Sequence, residues 1–401
     1  MKRRLLPILM TLVLVCALPI WAAFVTSGDV TNPLVSTAGA TLPDLQAKID
    51  AAEDNATITL DSDTTITETL VITGKTLTID LNGHVLKMTG DGSVLRVSDR
   101  ATLTITDSRP QNPHTGSYAG LPAGGVITGG KADKGGGILL AGGCTLKLTG
   151  GCITDCHATD TGGGGVVLNG DTAILYMSGT ARIENCTAGE TWGANAIFNS
   201  GTMYADGGTV DGTVNNQGTI RLSEGAAAET VFNGTVYNRS AGTIKAGRYN
   251  ETVENRGTIT GGIFYGGVTN DGGKINDGAY ETVTFNSDGG TPVEEAKVLR
   301  GQKVAKPTDD PTKSGYTFTG WEDANGAGAY DFNTPVIAPL TLTAKWEKNP
   351  SSGGYYYYPT TDTKADDAKG SPKTADPGVA LYAALSILSL TGMVALNGKK
   401  R

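Results

Sequence analysis

Apolar residues in the middle of the chain alternate with Thr, Asp and Asn in runs of three to five, and Gly or Asn closes most runs. Leu77-Thr78-Ile79-Asp80-Leu81-Asn82-Gly83-His84 and Leu103-Thr104-Ile105-Thr106-Asp107 show the pattern. A period of two over so few residues predicts short strands with one face buried. Such strands are too short for a sandwich, and no helix-period segments lie between them to make an α/β fold. One stretch differs. From Leu42 to Asp54, Leu45, Ile49 and Ala52 share one helical face, with Thr41 and Pro43 opening it, and this predicts a helix.

The runs repeat. Asn199, Asn216, Asn238, Asn255 and Asn270 step by 17, 22, 17 and 15 residues, and each closes a short strand. Upstream, Gly151-Cys152-Ile153-Thr154-Asp155-Cys156 is echoed thirty residues later by Ala181-Arg182-Ile183-Glu184-Asn185-Cys186. A unit this small cannot close a core alone, so its copies must stack. The predicted architecture is all-β: a right-handed parallel β-helix from 57 to 280, capped by the helix of segment 27–56. Coils of roughly 20 residues predict about eleven, a stack of about 50 Å. The asparagines are read as structural, bonding neighbouring backbone at corners and each other along the stack. Runs such as Gly125-Val126-Ile127-Thr128-Gly129-Gly130 resemble the pectate-lyase-like β-helix of bacterial adhesin-type surface proteins.

At Glu281 the pattern changes. Thr282-Val283-Thr284-Phe285 leads to the Gly289-Gly290 turn, then Gly315-Tyr316-Thr317-Phe318-Thr319-Gly320-Trp321, Tyr330-Asp331-Phe332 and Ala344-Lys345-Trp346. Residues 281–348 resemble the Listeria–Bacteroides repeat, the B-repeat of internalin-type surface proteins. That resemblance implies a small β-grasp-like domain. Trp321 and Trp346 alternate with Thr or Lys and are read as core aromatics.

Both ends carry long apolar runs, expected as terminal apolar helices. Lys2, Arg3 and Arg4 precede the run Leu5 to Ile20, the pattern of a secretory signal peptide over 1–26. At the other end, Val379 to Asn397 suits a membrane span, and Lys399, Lys400 and Arg401 follow it. Just upstream stands Ser371-Pro372-Lys373-Thr374-Ala375. This order, over 371–401, resembles the sorting signal read by sortases in Gram-positive surface proteins, usually Leu-Pro-x-Thr-Gly; Ser371 and Ala375 depart from that form. The resemblance implies cleavage after Thr374 and linkage to peptidoglycan, with the membrane touched only through the C-terminal sorting segment. Residues 349–370, rich in Ser, Gly, Pro, Thr, Lys and Asp, read as a disordered wall-spanning linker.

Composition narrows the chemistry. With 57 Gly in 401 residues, 18% charged residues and a formal charge of −8, tight turns are expected and nucleic acid is not an expected partner. His84, His114 and His157 lack metal-site spacing, and no metal or cofactor is expected. Cys156 and Cys186 occupy equivalent repeat positions, where either a disulfide or two stacked thiols would fit. Asp155, Asp160, Asp171 and Glu184 are the carboxylates to weigh for glycoside cleavage, but the clusters of polysaccharide lyases and polygalacturonases are absent from the sequence. The reading is a non-enzymatic, adhesin-like surface protein meeting glycans or proteins on other cells. The alternatives are a wall-anchored β-helix lyase or glycoside hydrolase, and a stalk without a ligand.

Overall fold

The computed structural model describes residues 43–160, 162–189, 194–324 and 328–350. The secretory signal, the linker beyond Pro350, the sorting motif Ser371–Ala375 and both terminal apolar segments lie outside the described residues. Among the described residues no helix is long and apolar enough to cross a membrane.

The central region is a parallel β-helix with three faces. The first face starts with Ala56–Thr59, the second with Thr64–Ile66 and the third with Leu70–Thr73. Each strand pairs in parallel with its counterpart one coil later: Leu77 with Leu103, Leu103 with Leu146, Leu146 with Leu175 and Leu175 with Met203. The column continues through Ile220, Ile244 and Ile259. These inward side chains are fully buried, and each contributes roughly 1.5–3 kcal/mol by leaving water. Thr76, Thr102 and Thr145 stand outward beside them in register.

The third face holds nine strands, so nine coils are complete, and Lys274–Ile275 begins a tenth. The expected eleven was too many because the coils are unequal. The coil from Leu103 to Leu146 takes 43 residues, whereas that from Ile244 to Ile259 takes 15. The long coil leaves the stack after Asp107 and folds back on the second face, where Tyr118 and Leu121 cover Val85, Val126 and Cys152. Asp107 holds this excursion in place. Its carboxylate accepts from the backbone N–H groups of Gly83 at 2.8 Å, Gly125 at 2.6 Å and Arg109 at 3.2 Å.

The N-terminal end is covered as expected, by a helix at Pro43–Ala51 with Leu45 and Ile49 turned into the core. Gln46 supplies what a helix cannot, a partner for the open strand edge. Its amide donates to Val71 O at 3.1 Å and accepts from Val71 N–H at 2.9 Å. Lys75 closes the helix C-terminus by donating to the carbonyls of Ile49, Asp50 and Ala52.

The asparagine repeat forms one ladder. Asn199, Asn216, Asn238 and Asn255 each donate through Nδ2 to the Oδ1 of the next, ending on Asn270, at 2.7 Å in every step. The first four are completely buried. They continue an inward column that is aliphatic earlier, Ile72–Val97–Leu140–Leu168, and turns to amide at Asn199. The switch coincides with tight turns of the form Asn-x-Gly-Thr. In these turns backbone lies directly on backbone; a Cβ on Gly218 would stand 2.0 Å from Gly201 O. Inward backbone groups at such a turn need polar partners: Gly201 N–H donates to Asn199 Oδ1, and Asn199 Nδ2 also reaches Thr219 O. The expectation of left-handed corner residues holds elsewhere, at Asn82, Asp155 and Asn185, with φ of 48°, 50° and 51°. The ladder asparagines are strand ends instead. A second, exposed ladder links Asn233 to Asp211 and Asn250 to Asn233.

The last coil passes into a four-stranded sheet made of Tyr280–Asn286, Ala296–Leu299, Tyr316–Glu322 and Leu340–Lys348. In space the second strand lies beside the first, the first beside the fourth and the fourth beside the third, with the first–fourth pair parallel. This is a β-grasp-like order, with an irregular crossover between Gly301 and Gly315 in place of a helix. Trp321 is buried against Phe285 and Phe318, and Trp346 donates its indole N–H to Ser287 O at 3.1 Å.

This module also closes the solenoid. Phe264 N–H donates to Arg300 O, Gln302 Nε2 donates to Phe264 O and Tyr265 O, and the buried Glu281 carboxylate pairs with Arg300. Gly301, at φ +93°, lets the backbones touch, since a Cβ there would stand 2.7 Å from Phe264 N. Gly301→Val is therefore expected to cost about 3 kcal/mol. A lowered urea midpoint, with new protease cleavage near 264–301, would show it.

Candidate functional site

The outward row of the third face runs in register as Val71, Arg96, Leu139, Val167, Phe198, Asn215, Tyr237, Glu254 and Thr269. Two grooves open along it. The first, of about 710 Å³, has Val71, Arg96 and Leu139 on its floor and mixed charges at its edge: Lys131, Asp133 and Asp160.

The second groove, of about 570 Å³, includes Phe198 and Asn215 and is edged by Gln217, Arg239 and Arg256. The edge residues directly follow Asn216, Asn238 and Asn255, so the amide ladder sets their spacing. Arg239 N–H donates to Asn216 O and Arg256 N–H to Asn238 O, which fixes both on equivalent positions of successive coils. The Arg239 guanidinium lies over the Tyr237 ring, 5.0 Å from its centroid, and its Nε donates to Asn215 Oδ1 at 3.3 Å. Burial, and then the neighbouring Arg256 charge, holds Arg239 below the ordinary arginine value. Arg256 meets Asp271, one coil on, through Nε at 2.9 Å and Nη2 at 2.7 Å. The turn after Asn238 is longer than the others by Ser240 and Ala241, which build the wall beside Arg239.

On the first face, Tyr176 and Tyr204 stack at 4.4 Å with 3° between their planes, and Arg221 covers Tyr204 at 5.4 Å. The inner face of each ring is thus turned on the other tyrosine.

The carboxylates weighed for catalysis fall in different places. Asp155 occupies the left-handed corner after the second face. Glu184 ends the strand Ile174–Glu184, 4.0 Å from Arg182. Asp171 sits in the turn entering the first face, and Asp160 edges the first groove. The histidines are likewise apart: His84 near Asp63 at 3.4 Å, His114 against Gly124 O and His157 against Thr187 Oγ1.

Cys144, Cys152, Cys156 and Cys186 are buried thiols. Cys156 and Cys186 lie one coil apart at matching corners, with their side chains in contact. A hydrogen bond with Cys186, and then burial, pushes the Cys156 thiol up, while burial and the charge of Glu184 do the same for Cys152.

Sequence reasoning missed the arginine-edged groove. The signal was present in the residue after each ladder asparagine, which reads Gln217, Arg239, Arg256 and Asp271, but only the stacked coils turn that spaced set into one edge.

Comparison with known proteins bears on the C-terminal module. Residues 282–345 match the Listeria-Bacteroides repeat domain. A protein of Evansella cellulosilytica provisionally named a Gly-rich membrane protein is 40% identical over 70 residues, which are 17% of this chain and 8% of that one. A second from the same organism, provisionally named a membrane protein, is 39% identical over 70 residues, 17% of this chain and 10% of its own. The chain thus spans a tenth or less of the curated relatives it matches. No solved structure matches it. Identity attaches to one module: a Listeria–Bacteroides repeat domain, with its β-grasp-like sheet order, closes the end of a parallel β-helix.

Proposed function

We propose that this is an exported cell-envelope protein that works by contact, displaying its β-helix as a rigid adhesin-like rod to glycans or proteins of other cells. The observation that carries the reading is the third face, where two grooves lie on one row of outward residues beside a module that matches the Listeria-Bacteroides repeat. The relatives named as membrane proteins, each matched over 70 residues, agree with an envelope location. In this reading the sorting motif Ser371-Pro372-Lys373-Thr374-Ala375 is cut by a sortase after Thr374 and joined to peptidoglycan.

Muramidase is expected to release the wild-type protein from cells, and Thr374→Ala is expected to move it to the detergent-extracted membrane fraction. Release of wild type by detergent alone would refute wall linkage. The rival, a polysaccharide-cleaving enzyme, has one observation in its favour: Asp133 and Asp160 edge the same groove. No new reducing or unsaturated ends are expected when the protein meets a polysaccharide panel. Product formation lost in Asp133→Asn or Asp160→Asn would establish the rival.

A further inference from the structure

We propose that copies of this chain join end to end, Val30-Thr31-Asn32 of one copy adding a strand beside Val268–Asn270 of the next. The partner is thus a second copy of the chain, apart from any molecule met on other cells.

The receiving edge is the open end of the third face. Val268–Asn270 is the last of nine strands there and is paired on one side, with Val253–Asn255. Gly267 O and Asp271 N–H face that neighbour, so the alternation of a strand turns the N–H and C=O groups of Val268 and Asn270 away from it. Thr269 and Asn270 are exposed and Val268 is half-buried, whereas Val214, Val236 and Val253 before it are fully buried. The other two C-terminal edges are occupied. The second face meets Arg300 and Gln302 at Phe264, and the first runs on into the module through Tyr280. An unpaired edge is a template for another extended chain.

The amide ladder selects which chain fits. Asn270 accepts from Asn255, and its Nδ2 uses one of two hydrogens on Gly273 O at 2.9 Å. Each earlier rung gives a hydrogen to the next asparagine, so an incoming strand needs Asn in register. Two positions before it, an apolar residue must continue the column Val214–Val236–Val253–Val268. Val-Thr-Asn occurs twice in the chain, at 268–270 and at 30–32. The second occurrence lies in segment 27–42, outside the described residues and directly after the expected signal peptide. Pro33 then ends the added strand, since it has no N–H for the bond that Asp271 makes to Asn255 O.

The donor must be another copy. Nine strands on the third face put the last about 38 Å from the first at about 4.8 Å per step. The added strand lies one step further, and the cap helix lies beyond the first strand. The eleven residues from Asn32 to Pro43 span at most about 40 Å, too little for that path. The N-terminal edge is no alternative. Gln46 already holds Val71 N–H and O, and the inward column there is Ile72, against which an asparagine amide would find no partner. Donor and acceptor stand at opposite ends, so each joined copy keeps one of each and rows can grow.

The test is site-directed cross-linking of the full chain in detergent, with every variant carrying Cys16→Ser. Thr31 would stand beside Thr269 in the outward row, at one strand spacing and within disulfide reach. Thr31→Cys chains mixed with Thr269→Cys chains and oxidised are expected to give a covalent dimer. Mixed with Val71→Cys, at the N-terminal end of the same row, they should give at least tenfold less. Asn32→Asp in the donor, or Asn270→Ala in the acceptor, should each cut the dimer at least fivefold. Excess synthetic peptide spanning 28–36 should do the same, and its Asn32→Asp form should not. No dimer, equal dimer with Val71→Cys, or a yield unaltered by Asn32→Asp would each overturn the proposal and leave the contact reading untouched. So would a Thr31→Cys/Thr269→Cys chain that oxidises within itself independently of concentration, because its strand would then lie on its own stack.

Discussion

Asn238→Asp is expected to unfold the C-terminal half of the β-helix at neutral pH, although it changes one atom and leaves no cavity. Asn238 accepts from Asn216 Nδ2 and donates to Asn255 Oδ1, both at 2.7 Å, and also reaches Thr258 O at 3.3 Å. A carboxylate keeps the acceptor and loses the donor. Its second oxygen would face Asn255 Oδ1 and Thr258 O, acceptor against acceptor, at a fully buried position. An unsatisfied buried group costs about 1–3 kcal/mol and an unpaired buried charge costs more, a large part of a stability of roughly 5–15 kcal/mol.

The pH dependence of this variant has a definite sign. Burial among acceptors favours the neutral acid, so the folded-state pKa of the introduced carboxyl group is raised above the unfolded one. The stability that protonation restores is then fully present below the unfolded value and lost as pH rises through the folded value. Urea midpoints measured between pH 4 and pH 8 should fall steeply for the variant relative to wild type. A flat difference across that range would mean that the ladder donor carries no weight. Asn270→Ala, at the exposed end of the ladder, is the control and should cost under about 1 kcal/mol.

Tyr249→Ala is expected to cost about 3–5 kcal/mol, the range for deleting a large buried aromatic. Tyr249 is fully buried between Phe232 and Phe264, with ring centroids at 4.9 and 5.1 Å and planes 7° apart in both pairs. Its hydroxyl donates to Ala246 O at 2.8 Å. Burial holds the phenol well above its ordinary pKa, so it stays a neutral donor. Tyr249→Phe should therefore lose only about 1 kcal/mol, the worth of one hydrogen bond. Because each coil touches only its neighbours, the loss should be local. Amide hydrogen exchange in Tyr249→Ala should quicken across 231–275 while 56–160 keeps its protection. Uniform quickening would show that the stack unfolds as one unit.

The fold was legible where a single coil carries its own signal. Alternation marked Leu77, Ile79, Leu103 and Ile105 as inward, and all four are buried. The spacing of Asn199, Asn216, Asn238, Asn255 and Asn270 announced the amide ladder, because its rung-to-rung repeat is written directly into the chain. Leu45 and Ile49 announced the cap in the same way, by helical spacing. The coil count was not legible. A loop such as that after Asp107 adds residues without adding a coil, and only Tyr118 and Leu121 lying on Val85, Val126 and Cys152 shows where it goes.

Sequence by itself determined what depends on neighbours a few residues away: strand polarity, turn residues, the N-terminal helix and the change of pattern at Glu281. Only the tertiary structure decided what depends on residues a coil or more apart. The stacking of Phe232, Tyr249 and Phe264, the contact of Gly301 with Phe264, and the edge shared by Arg239 and Arg256 are of this kind. The physical reason is that a solenoid makes its lateral surfaces from one position per coil. Chemistry spread so thinly along the chain leaves no compact motif, and it becomes a site only when parallel pairing brings successive coils to strand spacing.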